Sequence, residues 1–423
     1  MTYKIHTFGC KVNIYESEYI INIMNKNKYK LLETEEEPNI YIINTCTVTN
    51  EADKKDRKLI HHVREIYPNA ILIVIGCYTQ LHQDIDADII LGNKYKSNIP
   101  ELIKEYLSNK KQIIKVEDIS ETNFEDMYIE RFINHTRAFV KIQDGCNAFC
   151  AYCTIPYSRG GIRSKDFNKV IDEVSNLVNN GYKEIVLTGI HTGKYGKESN
   201  TSLELLLKEL VKIPDLLRIR LSSIEINEIT DGIINLIRTN NKMAKHLHIP
   251  LQSGSNKILK LMNRHYTKEY FIKRINEIRN LIPDISITTD LIIGFPEEDE
   301  NSFNETKETL KEINFTKVHT FPYSKRSGTI AATMKNQVDG NIKKCRVKEV
   351  LVLSDFNEEN FYKSKIGNIY DGIIETRNNK SKVIITTNYI PVEIETNLEN
   401  NQIIKARIDR VIGKKVIGTI INN

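Results

Sequence analysis

The chain reads as an α/β protein in three parts: an N-terminal open parallel α/β sheet, a central partial (βα)6 barrel of the TIM type, and a C-terminal small β-barrel. Three observations carry this. Short β-type runs alternate with helical stretches up to about Leu107, six longer strand-then-helix units follow between Arg137 and about Asn360, and short strands divided by Gly, Asn and Pro begin near Lys363. The expected domains are 1–115, 132–360 and 361–423.

In the first part Tyr3 to Thr7, Ile40 to Asn44 and Ala70 to Ile75 read as strands, with helices near Glu16 to Asn25, Ala52 to Tyr67 and Pro100 to Leu107. The acidic stretch Glu117 to Arg131 has weak periodicity and reads as a linker. The strand expectations of the middle part are Ala138 to Ile142, Glu184 to Leu187, Arg218 to Leu221, His246 to Ile249, Ile285 to Asp290 and Lys317 to Phe321. A barrel of this kind places its active site at the carboxyl ends of its strands. In the tail, Asn368 to Glu375, Lys382 to Thr387 and Ile403 to Ile408 read as strands of a small barrel.

A chain of 423 residues exceeds one ordinary core, and 40% hydrophobic with 27% charged residues is a globular composition. The net charge is +5, and from Lys363 onward ten Lys or Arg face six Asp or Glu, so a polyanion suits the tail. The opening MTYKIHTFGC lacks a basic start with an apolar run, and no stretch approaches membrane-spanning length. A cytoplasmic protein without a membrane partner is expected. In that compartment seven cysteines, an odd count, point to metal or redox chemistry rather than to disulfides.

Cys146, Cys150 and Cys153 follow the first strand of the middle part in DGCNAFCAYCTIPYSRG, a C-x3-C-x2-C cluster. Three thiolates in one loop cap three irons of a four-iron cluster and leave the fourth open to a ligand. With the aromatic Tyr152 before the last cysteine, the cluster resembles that of the radical S-adenosylmethionine (SAM) superfamily. A zinc knuckle would need a fourth ligand, and no His lies between Arg137 and Thr188. Cys10, Cys46 and Cys77 are far apart, yet each stands just beyond a strand, in YKIHTFGC, NIYIINTC and AILIVIGC. If those strands are parallel neighbours, their thiols meet at the edge where open α/β sheets hold ligands. One such cysteine is ordinary core; three at equivalent positions point to a second cluster. Gly9, Gly76 and Gly145 precede cysteines, as a backbone approaching a bulky group requires. Cys345, in KKCRVKEVLVL, reads as packing.

With both triads in view, the sequence resembles the methylthiotransferase family over nearly its whole length. TFGCKVN, NTCTVTNEAD and IGCYTQ are similar to its three-cysteine domain, LTGIHTGKYG, RIRLSS, HLHIPLQSGS and FPYSKRSGT to its radical SAM barrel, and the tail to its RNA-binding TRAM barrel. KVN after Cys10, TVTNEAD after Cys46 and His191 in LTGIH favour the branch acting on N6-threonylcarbamoyladenosine in transfer RNA. The resemblance implies two 4Fe-4S clusters and S-adenosyl-L-methionine as cofactors. At Cys146, Cys150 and Cys153, SAM cleavage gives a 5′-deoxyadenosyl radical that takes hydrogen from adenine C2, and at Cys10, Cys46 and Cys77 a methylated sulfur is held for transfer. It also implies a tRNA substrate, an electron donor such as flavodoxin or ferredoxin, a sulfur donor of unspecified kind, and a monomer.

Further residues follow from position. Thr188 and Gly189 end the second barrel strand, where the superfamily contacts the SAM amino group; a plain strand-to-loop turn is the alternative. Ser223 and Glu225 place polar groups where a ribose is received, and Gln252 sits in a segment similar to the family's active site, although Ser253 and Gly254 also suit a turn. Arg163 suits a SAM carboxylate or a phosphate, whereas Arg159 reads as solvated surface. His191 faces the barrel mouth on the substrate side, and Lys405, Arg407, Arg410, Lys414 and Lys415 suit an RNA backbone. DLIIGFPEED carries Glu297 where the family usually has Gly, which puts a tight turn in question. The competing readings are the same chemistry on isopentenyladenosine or on a ribosomal-protein aspartate, and a non-catalytic iron-sulfur carrier, for which a six-unit barrel with an open-iron motif is superfluous.

Overall fold

A computed structural model describes residues 1–34, 36–120, 123–133, 135–377 and 381–421. Its first sheet holds β1 (Thr2–Thr7), β2 (Lys30–Leu31), β3 (Ile40–Thr45), β4 (Ile71–Gly76), β5 (Ile89–Leu91) and β6 (Ile113–Lys115) in the order β2-β1-β3-β4-β5-β6. Every pair is parallel. Helices α1 (Lys11–Lys26), α2 (Asn50–Ile66), α3 (Cys77–Leu81) and α4 (Ile99–Asn109) connect them. All six residues of β4 are buried because the sheet is covered on both faces, which explains its unbroken apolar run ILIVIG. Register sets the rest. Thr7 pairs with Asn44 and Thr45 with Gly76, so β1, β3 and β4 end level and release their cysteines at one edge.

The middle region contains β7 (Ala138–Asp144), the two-residue β8 (Arg163–Ser164), β9 (Glu184–Gly189), β10 (Arg218–Leu221), β11 (His246–His248), β12 (Ser286–Ile293) and β13 (Lys317–Pro322). Its hydrogen-bonded sheets are β10-β9-β7-β8 and β11-β12-β13, and the bridges Ile219 to Met243 and Ser223 to His248 join them. Six parallel strands thus run in sequence order as an open barrel, and β8 alone pairs antiparallel, with β7. The cysteine loop and the short helix α5 (Ile155–Arg159) follow β7.

The tail is a closed barrel of β14 (Ile369–Arg377), β15 (Ser381–Thr386), β16 (Pro391–Ile394), β17 (Ile403–Ile412) and β18 (Lys415–Ile420) in the order β14-β15-β16-β18-β17. β16 and β18 were not among the expected strands. The first is short and opens on Pro391, the second opens on a Lys and holds Gly418, and closure rather than propensity makes them strands. The barrel docks by polar contacts: Arg218 pairs with Asp371, Arg137 Nε lies 2.6 Å from Glu375, and Lys365 Nζ lies 2.6 Å from Asp284.

Two expectations are corrected by packing. The 117–131 stretch is not a solvated linker: Ile119, Met127 and Ile129 are buried, and Lys96 Nζ lies 3.4 Å from Glu125, so an aperiodic strap is held by isolated apolar anchors. Cys345 does not pack; it is exposed on the helix Gly340–Lys363, whose inward face carries Arg346 and Val350. The turn at Glu297 forms without glycine. Glu297 adopts φ +69°, and its carboxylate accepts hydrogen bonds of 3.0 and 2.9 Å from Asn336 Nδ2, which hold a conformation that costs an L-residue energy. No described helix is long and apolar enough to cross a membrane.

Candidate active site

All seven cysteines are free thiols, and six of them form two groups. In the loop after β7, Ala148 N–H donates to Cys146 Sγ at 3.4 Å, His191 Nδ1 lies 3.4 Å from the same sulfur, and Arg264 Nη1 donates to Cys150 Sγ at 3.4 Å. Arg264 is itself anchored to Glu225. Burial, with weaker repulsion from Cys150 and Cys146, raises the Cys153 thiol to about 12.

The second group stands at the level edge of β1, β3 and β4. Burial raises Cys46 to about 12, with Cys77 and Cys10 adding to the shift, so the three sulfurs sense one another. Gly9 and Gly76 have φ of +102° and +111°. A Cβ on Gly9 would stand 2.9 Å from Cys46 Sγ and one on Gly76 2.7 Å from the Thr45 carbonyl, so glycine is required at both.

Cys77 also rests on an ion network. Arg159 Nε donates to its sulfur at 3.1 Å and Asn93 Nδ2 at 3.6 Å. The same guanidinium reaches Glu16 at 2.9 and 3.0 Å, Asp144 at 3.1 Å and Asn13 Oδ1 at 2.8 Å. Lys141 Nζ lies 2.7 Å from Glu16 and 2.6 Å from Asp144, Arg163 Nη2 3.2 Å from Asp144, and Lys96 joins Glu16 to Glu125. Arg159, Lys141, Lys96 and Arg163 thus face Glu16, Asp144 and Glu125, which leaves one positive charge beside Cys77. Burial still raises the Cys77 thiol, and Arg159, with the weaker Asn93 contact, offsets only part of that rise.

Both triads fit a cluster by donor set: three soft sulfurs each, with N–H donors directed at them and a repulsion between thiolates that a bound cationic cluster reverses. No group of three or more His, Cys, Asp or Glu among the described residues is arranged to hold a metal ion. Two adjoining cavities border the triads. One of about 1010 Å³ reaches Cys10, the other of about 230 Å³ reaches Cys153, and Val48, Ile155, Asp290 and Phe321 line both.

Comparison with known proteins accords with this arrangement. The radical SAM superfamily matches residues 140–310, and the family described as Uncharacterized protein family UPF0004 matches residues 2–91. The threonylcarbamoyladenosine tRNA methylthiotransferase MtaB of Bacillus subtilis (strain 168) is 41% identical over 404 residues, covering 92% of this chain and 90% of the relative. Its namesake from Aquifex aeolicus (strain VF5) is 36% identical, covering 96% and 100%. The chain belongs to the radical SAM methylthiotransferase family. The tRNA-2-methylthio-N(6)-dimethylallyladenosine synthase of Thermoanaerobacter pseudethanolicus (strain ATCC 33223 / 39E) is 37% identical, covering 84% and 78%. In fold the chain is similar to the radical S-adenosylmethionine methyltransferase TsrM from Kitasatospora setae, with TM-score 0.56 at 12% identity, covering 76% and 74%.

As a radical SAM enzyme, a methylthiotransferase, the chain takes SAM and a 4Fe-4S cluster. The residues expected from sequence divide by position. Tyr152 and Gln252 line the smaller cavity, and Thr188, Gly189 and Ser223 the larger. Gln252 holds φ +64°, with its N–H bonded to the Asp290 carbonyl at 2.9 Å. Glu225 Oε2 is engaged by Arg264 beside Cys150. His191 is tied to Cys146, and its Nε2 lies 2.8 Å from Glu228; burial opposes its charge, but these two partners raise its pKa to about 9. Lys405, Arg407 and Arg410 are exposed along β17, alternating with buried Ala406 and Ile408. Lys414 Nζ lies 2.9 Å from Asp355 and Lys415 Nζ 2.6 Å from Glu393.

Two arginines are corrected. Arg163 lines neither cavity; its Nη1 donates to the carbonyls of Arg159 and Gly161 at 2.6 and 3.2 Å while Nη2 meets Asp144, which leaves it a structural clamp. Arg159 is fully buried at the centre of the ion network, not surface. Sequence reasoning also missed Arg264, Glu16 and Asn93. No local pattern marks them, because only tertiary packing brings Arg264 to Cys150, Asn93 in the loop after β5 to Cys77, and Glu16 on α1 to Arg159.

Proposed function

We propose that this enzyme converts N6-threonylcarbamoyladenosine in tRNA into its 2-methylthio derivative. The observation that carries the reading is the pair of three-thiol groups beside two adjoining cavities, together with relatives whose names specify this substrate. Cys146, Cys150 and Cys153 would hold the cluster that binds SAM, and Cys10, Cys46 and Cys77 a second 4Fe-4S cluster. When bound, the two supply radical formation from SAM and a sulfur for transfer.

The protein's own part is placement and shielding. Arg264 and His191 donate toward the loop sulfurs, Arg159 and Asn93 toward Cys77, and such contacts orient ligands and set cluster electronics. Thr188, Gly189, Ser223, Gln252 and Tyr152 border the space for SAM and the target adenine. Arg326 locks the roof: its Nη2 reaches Thr47 Oγ1 at 2.5 Å and its Nη1 lies 2.7 Å from Asp53, joining the loop after Cys46 to the loop after β13 and screening the interior from water. Lys405, Arg407 and Arg410 would follow the RNA backbone.

Nucleoside mass spectrometry of tRNA from cells with and without the gene tests the reading. In a host with no second such enzyme, the methylthio form of threonylcarbamoyladenosine disappears on deletion. Its persistence, with loss of a methylthio isopentenyl nucleoside instead, would transfer the enzyme to the other tRNA substrate.

A further inference from the structure

Lys11 is the first residue of α1, directly after Cys10, and lines the larger cavity. The other cations on that wall are balanced. Arg220 Nε lies 2.9 Å from Glu184, Lys317 Nζ 3.0 Å from Glu358 and Lys414 Nζ 2.9 Å from Asp355, while the Arg220 Nη groups donate to the carbonyls of Thr387 and Thr386 at 3.4 and 3.2 Å. Lys11 is not. Burial is the main influence on its charge, Tyr389, Arg137, Arg220 and Cys10 act more weakly, and among the described residues no carboxylate pairs with it. A largely buried ammonium without a counter-charge is unfavourable until an anion enters.

The same wall carries a stacked ring pair. His246 lines the cavity with its Nε2 3.2 Å from Thr288 Oγ1, its ring stacks on Tyr389 at 4.7 Å, and Arg220 covers the Tyr389 ring at 4.6 Å. The cavity therefore offers an unpaired cation beside flat rings, which suits a planar ligand that ends in a carboxylate.

We propose that Lys11 is a specificity-determining residue that binds the carboxylate of the threonyl group on the substrate nucleoside. This rests on the substrate reading above and deepens it, since an N6 substituent without a carboxylate gives Lys11 no partner. The carboxylate of SAM or an RNA phosphate would offer similar charge, and the experiment separates them.

Cluster-reconstituted protein without SAM is titrated with anticodon stem-loop RNAs that differ only at the target base: adenosine, threonylcarbamoyladenosine, or its threonyl methyl ester. Anisotropy of a fluorescent label reads binding. The wild type binds the acid about tenfold or more tighter than the ester, as a charge-assisted contact requires. K11Q removes that preference without weakening the ester complex, and K11E reverses it. Equal iron and sulfide contents in both variants and the wild type show that the neighbouring cluster is intact, and the two opposite shifts do not arise from misfolding. A preference that survives in K11Q overturns the assignment. So does an equal loss for acid and ester, which marks a phosphate contact, and so does a wild type that favours both modified RNAs over adenosine without separating them. A wild type that favours neither modified RNA over adenosine overturns the substrate reading, and the assignment with it.

Discussion

Cys146, Cys150 and Cys153 come from one continuous loop after β7, whereas Cys10, Cys46 and Cys77 come from the ends of three neighbouring strands, each separated by a helix from the next. The loop triad is shaped by nearby backbone and by two side chains, Arg264 and His191, that arrive from elsewhere in the barrel. The strand-edge triad is shaped by sheet register and stands on a buried ion network that ties α1 to β7 and α5. The same donor set is thus held in two ways. One is local in sequence and open to a ligand at the smaller cavity; the other is fixed by sheet register and by the packing of α1 and α3 against β7 and α5.

Breaking the network removes the guanidinium donor of Cys77 and also loosens Asp144, which holds the Gly145 N–H at 2.8 Å just before the loop triad. Arg159→Met leaves Glu16 and Asp144 short of a cation and Cys77 without its guanidinium donor, so denaturant unfolding should show a loss of about 3–5 kcal/mol. In the folded wild type burial raises both carboxylates, but Arg159 and Lys141, with Lys96 at Glu16 and Arg163 at Asp144, overcome it and hold them below the usual range. Their contribution is therefore complete above a pH of about 4.5, the ordinary carboxylate value, and is lost as pH falls through the depressed values. In the variant the acid loss begins at higher pH, measurable as a shifted acid-unfolding midpoint. An unchanged midpoint and an unchanged stability would show that the network is incidental to the second triad's seat.

The smallest effect belongs to a site that touches neither triad. Glu297→Gly removes an L-residue from φ +69° but also removes the clamp on Asn336, so thermal unfolding should differ from the wild type by less than about 1 kcal/mol. A larger loss would mean that the carboxylate, not the backbone, shapes that turn.

The contrast also explains what the sequence showed. The loop triad was legible because its spacing is local, and the second because position after a strand is a pattern that register converts into proximity. Arg159 was misread because its neighbourhood, SRGGIR, resembles a surface loop, and its burial is decided by α1 lying across β7. The 117–131 strap was misread for a related reason: Met127 and Ile129 anchor it by fit to a groove, without periodicity. β16 and β18 were missed because barrel closure overrides weak propensity.

The most direct test of the two-triad account is mass spectrometry of an anaerobic reaction of a Cys10→Ala, Cys46→Ala, Cys77→Ala variant with reductant, SAM and threonylcarbamoyladenosine-containing RNA. The account predicts that 5′-deoxyadenosine is still formed while no methylthio nucleoside appears, with about half the wild-type iron retained. Methylthio product from that variant would contradict it.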